Sequence, residues 1–340
     1  MTDPNKEPLV SIITPCFNGA SFVRRFLDSV LDQTYSNIEF IFVNDGSTDD
    51  TERIVFSYQE KFSSKGIRFI YIFQENKGPA GALNQGLEIF TGEYLTWPDS
   101  DDVLHPDNIS KKVSFLEKNK DCGMVLCKVR VFNEKNMKQI RSLQRIPPID
   151  GPDDLFHDLI EEKNVYFAPG GYMIRTSAFL LANPEKTIYA SRGGQNWQML
   201  LPIAYRFTCG YIDEFLYDYM IREESHSHSA KSLEDHLKRA EEHEDILKTV
   251  ISSMDMDEKE RNNCIAIIDR KYARKRFWLA ANFRDHQRMQ MYYDILREHY
   301  PVTGRDRYHY LKGSCALFFY ADMMLRTLLR SLLKIKKALG

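Results

Sequence analysis

The first 130 residues alternate between short apolar runs and stretches with helical spacing. Leu9 to Thr14 is a compact, β-branched run that reads as a buried strand. Ser21 follows in position to cap a helix whose apolar residues are Phe22, Val23, Phe26, Leu27, Val30 and Leu31. Ile38 to Val43 is a second strand. Thr48 to Phe62 reads as a second helix, opened by Ser47 or Thr48, with Asp49 and Asp50 in its first turn where carboxylates suit the dipole. Ile67 to Phe73 is a third strand, and Pro79 to Phe90 a third helix with proline near its first turn. Glu93 to Trp97, Pro106 to Asn119 and Cys122 to Phe132 continue as strand, helix and strand.

This alternation predicts an α/β fold with a mostly parallel central sheet flanked by helices. In such sheets ligands bind beyond the carboxyl ends of the strands. The unusual polar residues lie there: Thr14 to Asn18 after the first strand, Asn44-Asp45-Gly46-Ser47 after the second, Asp99-Ser100-Asp101-Asp102 after the fourth. Three polar clusters therefore converge on one edge. The stretch from Ile146 to Asn196 is less regular and rich in Pro, Gly and Asn, as substrate-contacting loops are. From about Lys231 the pattern changes, and Lys231 to Val250, Asp257 to Phe283 and Gln287 to His299 read as helices of mixed charge.

Composition narrows the field. A chain of 340 residues holds one large domain or two modest ones. Apolar residues make up 43% and charged residues 28%, and the net charge of −2 gives no reason to expect nucleic acid as a partner. The six cysteines (Cys16, Cys122, Cys127, Cys209, Cys264 and Cys315) lack the paired spacing of a zinc site and fit a reducing cytosol. Met1 to Pro8 has no apolar signal core, so export is not expected. No apolar stretch reaches the roughly 18 uncharged residues of a spanning helix; Ala316 to Leu333 is interrupted by Asp322, Arg326 and Arg330.

Three carboxylates within Asp99 to Asp102 repel one another. They form either a solvated acidic turn before the next helix or a site for Mg²⁺ or Mn²⁺, which take one or two carboxylates together with phosphate oxygens. A strand end gives rigid positioning and favours the cation. Asp45 is not needed to cap the helix that follows it, so its carboxylate is free to accept from a base N–H or a ribose hydroxyl.

Four segments together resemble family 2 glycosyltransferases: Val10 to Asn18, Val43 to Asp49, Asn76 to Gly86, and Leu95 to Asp102. The resemblance covers roughly residues 8 to 230. It implies the GT-A fold, with a glycosyltransferase domain at 1–230, a nucleotide-binding half to about 130, an acceptor half from 131 to 230, and a helical C-terminal region at 231–340. It implies an inverting, metal-dependent enzyme that moves a sugar from a nucleotide donor, UDP-linked by preference, to a glycan or lipid-linked oligosaccharide in bacterial capsule or lipopolysaccharide assembly. The resemblance also assigns roles. Pro15, Phe17 and Asn18 lie against the nucleoside, Asp45 contacts the base, and Lys77 and Gly78 lie near it. Asp99, Ser100 and Asp101 hold the donor, with Asp99 and Asp101 on the metal. Gly171, Gln195 and Trp197 bind the acceptor, Trp197 either by stacking on a sugar ring or else packing as core, and His226 or His228 reaches the metal or diphosphate.

One stretch departs from the family. Where members carry a Glu-Asp pair whose Asp is the general base, this chain has Gln195-Asn196. An amide cannot take a proton at neutral pH. Three explanations stay open: Asn196 orients the acceptor while Asp213 or Glu214 is the base, the proton leaves late to the diphosphate or water, or the chain binds without catalysing. A sugar-nucleotide nucleotidyltransferase is a further alternative, though the loop Pro15 to Gly19 lacks the basic residues it would use. A dinucleotide dehydrogenase is disfavoured by the lack of a Gly-x-Gly-x-x-Gly motif after the first strand. Arg326, Arg330, Lys334 and Lys337 share one side of a C-terminal helix opposite a leucine-rich side, which suits either peripheral contact with the inner face of the cytoplasmic membrane or a homodimer.

Overall fold

The computed structural model describes residues 7–148, 153–191, 193–222 and 231–339, with backbone alone at 326 and from 329 onward. The chain divides into two compact units, residues 1–225 with 249–257, and residues 226–248 with 258–340.

The first unit is built on one sheet. Its strands are β1 (Val10–Cys16), β2 (Ile38–Asp45), β3 (Arg68–Gln74), β4 (Tyr94–Thr96), β5 (Val103–Leu104), β6 (Cys122–Asn133), β7 (Lys138–Leu143), β8 (Tyr172–Arg175) and β9 (Thr208–Ile221). Its helices are α1 (Val23–Leu31), α2 (Thr51–Phe56), α3 (Gln59–Ser64), α4 (Gly78–Ile89), α5 (Asn108–Lys118), α6 (Leu155–Glu161), α7 (Thr176–Ala182) and α8 (Gln195–Arg206), with a 3-10 turn at Pro169–Gly171. The spatial order is β3-β2-β1-β4-β8-β6-β9-β5, and β7 pairs with β6.

The two halves of this sheet differ. β1 pairs in parallel with both β2 and β4, and β2 with β3. β2 is buried along its whole length, the mark of a parallel strand covered on both faces. Phe26, Phe40, Phe62 and Phe69 pack there with ring centroids 5.2 to 6.1 Å apart. Beyond β4 the sheet turns mixed: β8 is antiparallel to β4 and β6, β9 is parallel to β6, and β5 is antiparallel to β9. The first half is wholly parallel, whereas in the second the long β6–β9 pair is parallel, joined through a connection that contains α6, α7 and α8, and the remaining pairs are antiparallel.

The structure corrects several local expectations. α1 begins at Val23 with Phe22 at its N-cap, and no side chain, Ser21 included, caps it. The expected helix from Thr48 to Phe62 is two short helices, broken at Ser57 and Tyr58; Tyr58 turns into the core and donates its hydroxyl to Asp28 at 2.8 Å.

The second unit is helical: most of α9 (Leu233–Ser253), α10 (Glu258–Phe283), α11 (His286–His299), α12 (Gly304–Ser314) and α13 (Ala316–Leu339). Phe277, Ala280 and Ala281 of α10 pack against Met289 and Leu296 of α11. α12 escaped the periodicity reading because its sequence is mostly polar. Its start is a capping box of Thr303 and Asp306. Asp306 is fully buried and accepts from Arg274 and the Trp278 indole.

Candidate active site

The polar clusters meet at the carboxyl ends of β1, β2 and β4. The loop after β1 is laced to the turn after β2. Asn18, at a positive φ of 49°, donates its backbone N–H to Ser47 Oγ and accepts from Thr48 N, both at 2.9 Å. Gly19 N donates to Thr51 Oγ1 at 2.7 Å and Ala20 N to Asp49 Oδ2 at 2.9 Å. Held in this way, the loop leaves Phe17 exposed, with Pro15 half-buried behind it.

Asp45 is 3% exposed and heavily engaged. Oδ1 accepts from Gln74 Nε2 at 2.5 Å and from Lys77 N at 2.8 Å, and Oδ2 accepts from Gly78 N at 2.9 Å. The carboxylate therefore caps α4 across the sheet edge, a role the sequence reading denied it, because the helix it caps is not the one next in sequence. Gly46 makes the approach feasible. It has φ +75°, and a Cβ there would sit 2.8 Å from Asn76 N. Lys77 is exposed beside this cap.

The turn after β4 carries the three carboxylates, whose ligand atoms lie within 4.8 Å of one another. They are not equivalent. Asp102 is fully buried; Oδ2 accepts from Tyr217 Oη at 2.6 Å and Oδ1 from Met220 N at 2.7 Å, so both oxygens tie the turn to β9. Asp101 Oδ2 accepts from Arg222 Nε at 2.7 Å, and its backbone carbonyl accepts from Arg25 Nη2 at 2.6 Å, leaving Oδ1 open among the described residues. Asp99 has no hydrogen bond to its carboxylate among the described residues. Burial, and after it the charge of Asp101, push Asp99 up to about 8 against the pull of Arg222. Burial and the two neighbouring carboxylates likewise push Asp102 well above the ordinary range. Hard oxygen donors, one carboxylate unbonded and one half-open, fit a divalent cation held by Asp99 and Asp101. Ser100 is buried under the turn and hydrogen-bonds Cys16. The Arg222 guanidinium lies over the Phe22 ring, 4.0 Å from its centroid.

Trp97, just before this turn, donates its indole N–H to Asn196 Oδ1 at 2.9 Å. Indole N–H only donates, so the Asn196 amide is oriented: its oxygen faces Trp97 and its Nδ2 group finds no acceptor among the described residues. Asn196 is 9% exposed, in the first turn of α8, beside the half-exposed Gln195.

The remaining expected residues lie elsewhere. Asp213 is exposed and paired with Lys128, four residues along β9 from the Tyr217 that touches the turn, roughly 13 Å of strand. Glu214 is paired with Lys111, and Asp218 with His105 and Arg130, so every carboxylate of β9 has a cationic partner. Trp197 is 4% exposed, donates to Leu159 O at 3.1 Å and packs on Phe167, which places it in the core. Gly171 is buried, and a Cβ there would press on the Tyr166 ring at 3.0 Å; its neighbour Gly170 lies directly against Tyr217. His226 and His228 lie outside the described residues. Sequence reasoning missed the roles of Trp97, Asp102, Tyr217 and Arg222. No spacing rule joins Arg222 to a turn 121 residues earlier.

The family model for glycosyl transferase family 2 matches residues 11–180. A Rickettsia prowazekii (strain Madrid E) glycosyltransferase without further assignment is 43% identical over 132 residues, 38% of this chain and 39% of that protein. The match thus spans about two fifths of that relative's length. EpsE of Bacillus subtilis (strain 168), assigned as a glycosyltransferase, is 30% identical over 229 residues, 67% of this chain and 78% of EpsE. Among solved structures, Staphylococcus aureus TarS 1-349 in complex with UDP-GlcNAc aligns with a TM-score of 0.61 at 18% identity, covering 86% of this chain and 82% of TarS 1-349. The mannosyltransferase PcManGT from Pyrobaculum calidifontis, in complex with GDP-Man and Mn²⁺, aligns at 0.57 and 16% identity over 98% and 88%. These likenesses establish the GT-A fold.

Proposed function

The chain belongs to glycosyl transferase family 2, and from that premise we propose that it moves a sugar, with inversion, from a nucleotide-sugar donor to a glycan acceptor. UDP is the preferred nucleotide, and the setting is bacterial capsule, lipopolysaccharide or related surface polysaccharide assembly, with a lipid-linked oligosaccharide among the fitting acceptors. The observation that carries the donor half is Asp99, a partly buried carboxylate without a hydrogen-bond partner among the described residues, beside an Asp101 with one oxygen open.

Asp99 and Asp101 hold the cation, and Mg²⁺ or Mn²⁺ there supplies charge stabilisation for the departing diphosphate. The exposed Phe17 gives the nucleoside a surface, with Pro15 and Asn18 fixing the loop. Asp45, Lys77 and Gly78 shape the base pocket. Arg222 stands next to Asp101 as a second source of positive charge. In the transfer, the anomeric C–O bond to the diphosphate breaks and the acceptor oxygen bonds to that carbon. Asn196 is a positioning residue: its Nδ2 group donates to the acceptor oxygen and cannot take the proton. With the β9 carboxylates ion-paired, the proton leaves to water or to the departing diphosphate. The observation on Asn196 also favours a second reading, a nucleotide- or glycan-binding protein without transfer.

Thermal stabilisation by UDP with Mn²⁺, and slow hydrolysis of a panel of UDP- and GDP-sugars, test the proposal. Wild type is expected to show stabilisation only when nucleotide and cation are both present. Asp99→Asn, which breaks no hydrogen bond to a described residue, is expected to abolish it without lowering the midpoint of the free protein. No response to any nucleotide sinks the reading. Binding with no hydrolysis or transfer selects the second one.

A further inference from the structure

α13 is a helix of 24 residues with two unlike sides. One side is anchored within its own unit. Asp322 accepts from Tyr308 Oη at 2.6 Å and pairs with Lys312 at 3.3 Å, Phe318 meets the Tyr308 ring at 5.8 Å, and Arg284 lies over Phe319 at 5.4 Å. The other side is open. Leu317 is 81% exposed, Met324 71%, Leu328 59% and Leu325 56%. Leu317, Ala321, Met324 and Leu328 follow one another at spacings of four, three and four, a single stripe along the helix. The sequence continues the stripe with Leu332, Ile335 and Leu339. Isolated exposed leucines are ordinary, but a continuous stripe of this length is not.

The charges on the same helix say what covers the stripe. Arg326, Arg330, Lys334, Lys336 and Lys337 are five cations, against the single carboxylate of Asp322, which is already bonded to Tyr308 and Lys312. A second copy laid along the stripe would bury the apolar residues but leave the five cations of each copy without counter-charge on the far side of the helix. An anionic surface would neutralise them while burying the apolar residues. Among the described residues no helix is long and apolar enough to cross a membrane, so the helix suits an interfacial position.

We infer that α13 is a membrane-surface anchor, which lies in the plane of an anionic phospholipid leaflet with Leu317, Met324, Leu325 and Leu328 inserted and its cations at the headgroups. The inference uses none of the residues proposed for sugar transfer, so either can fail alone. It fits an enzyme whose acceptor is lipid-linked.

Flotation of the full chain with vesicles tests it. The protein is expected to float with phosphatidylethanolamine–phosphatidylglycerol vesicles, to float far less with phosphatidylcholine vesicles, and to be released as salt is raised. The double variant Met324→Glu, Leu328→Glu alters only exposed positions. It is expected to keep the wild-type thermal midpoint and its response to UDP and Mn²⁺ while losing flotation. Arg330→Gln, Lys334→Gln and Lys337→Gln together are expected to lower the partition on the order of a hundredfold, at about fivefold per cation. Equal binding to both kinds of vesicle overturns the inference, as does undiminished flotation of the double variant. A lipid-free dimer in sedimentation velocity that the double variant dissociates would assign the stripe to a second copy and overturn it as well.

Discussion

Trp97 has one polar atom, and that atom donates. Its 2.9 Å bond to Asn196 Oδ1 therefore decides what Asn196 presents to a substrate: two N–H groups and no lone pair. Asn196→Asp keeps an oxygen for Trp97 and adds a second oxygen able to take a proton. Its transfer rate is expected to rise on the order of a hundredfold where proton removal is limiting, with a new ascending limb in the pH profile. An unchanged profile would show that proton transfer does not limit the step. Asp99 gives a second residue-scale prediction. Its carboxyl is raised from 3.8 to about 8, first by burial and then by Asp101. Across that window the unfolded chain is ionised while the folded chain keeps the proton. The contribution to stability is therefore full at low pH, falls as pH rises, and is gone above about 8. Urea midpoints across this range should slope downward in wild type and less so in Asp99→Asn. Cation binding near pH 7 should release protons, measurable by calorimetry in buffers of different ionisation enthalpy.

At the scale of elements, α4 draws its N-terminal cap from β2. Asp45→Ala removes the acceptor for Gln74 Nε2, Lys77 N and Gly78 N together, with an expected loss of about 2 to 4 kcal/mol in urea unfolding. Hydrogen exchange should show the first turn of α4 opening earlier in that variant. This contact also marks the limit of reading from sequence. β1 to β4 and β6 were legible because each is a bounded apolar run, and the three polar clusters follow from where those runs stop. β5 has two residues and β8 four, too few for a period to register. β9 is long but places the exposed Asp213, Glu214 and Phe215 directly before the buried Leu216 and Tyr217, which breaks the alternation, as a strand paired by three salt bridges to neighbouring elements can. Asp45 and the aspartates of the turn after β4 were visible as motifs. Their division of labour was not, because the side-chain partners of Asp101 and Asp102 come from β9 and from Arg222 just after it, more than a hundred positions away.

Over the whole first unit, a parallel half-sheet, which ends in the loops after β1, β2 and β4, joins a mixed half-sheet in which β9 is inserted between β6 and β5. The two halves are continuous in hydrogen bonding through β4 and β8. A chain ended at residue 206 would keep Asp99, Asp101 and Asp102 yet lose Tyr217, Met220 and Arg222, all of which hold that turn. Such a truncation is expected to show no stabilisation by UDP with Mn²⁺, and to leave Asp102 as a buried carboxylate without donors. The bond from Tyr217 to Asp102 thus bears on domain shuffling. A recombinant that grafts a foreign acceptor half onto the first 130 residues would inherit the aspartates without their fastening. Exchange of acceptor specificity between relatives would then succeed only where the crossover leaves the last six residues of β9 with their original partner, or where both parents carry the same tyrosine.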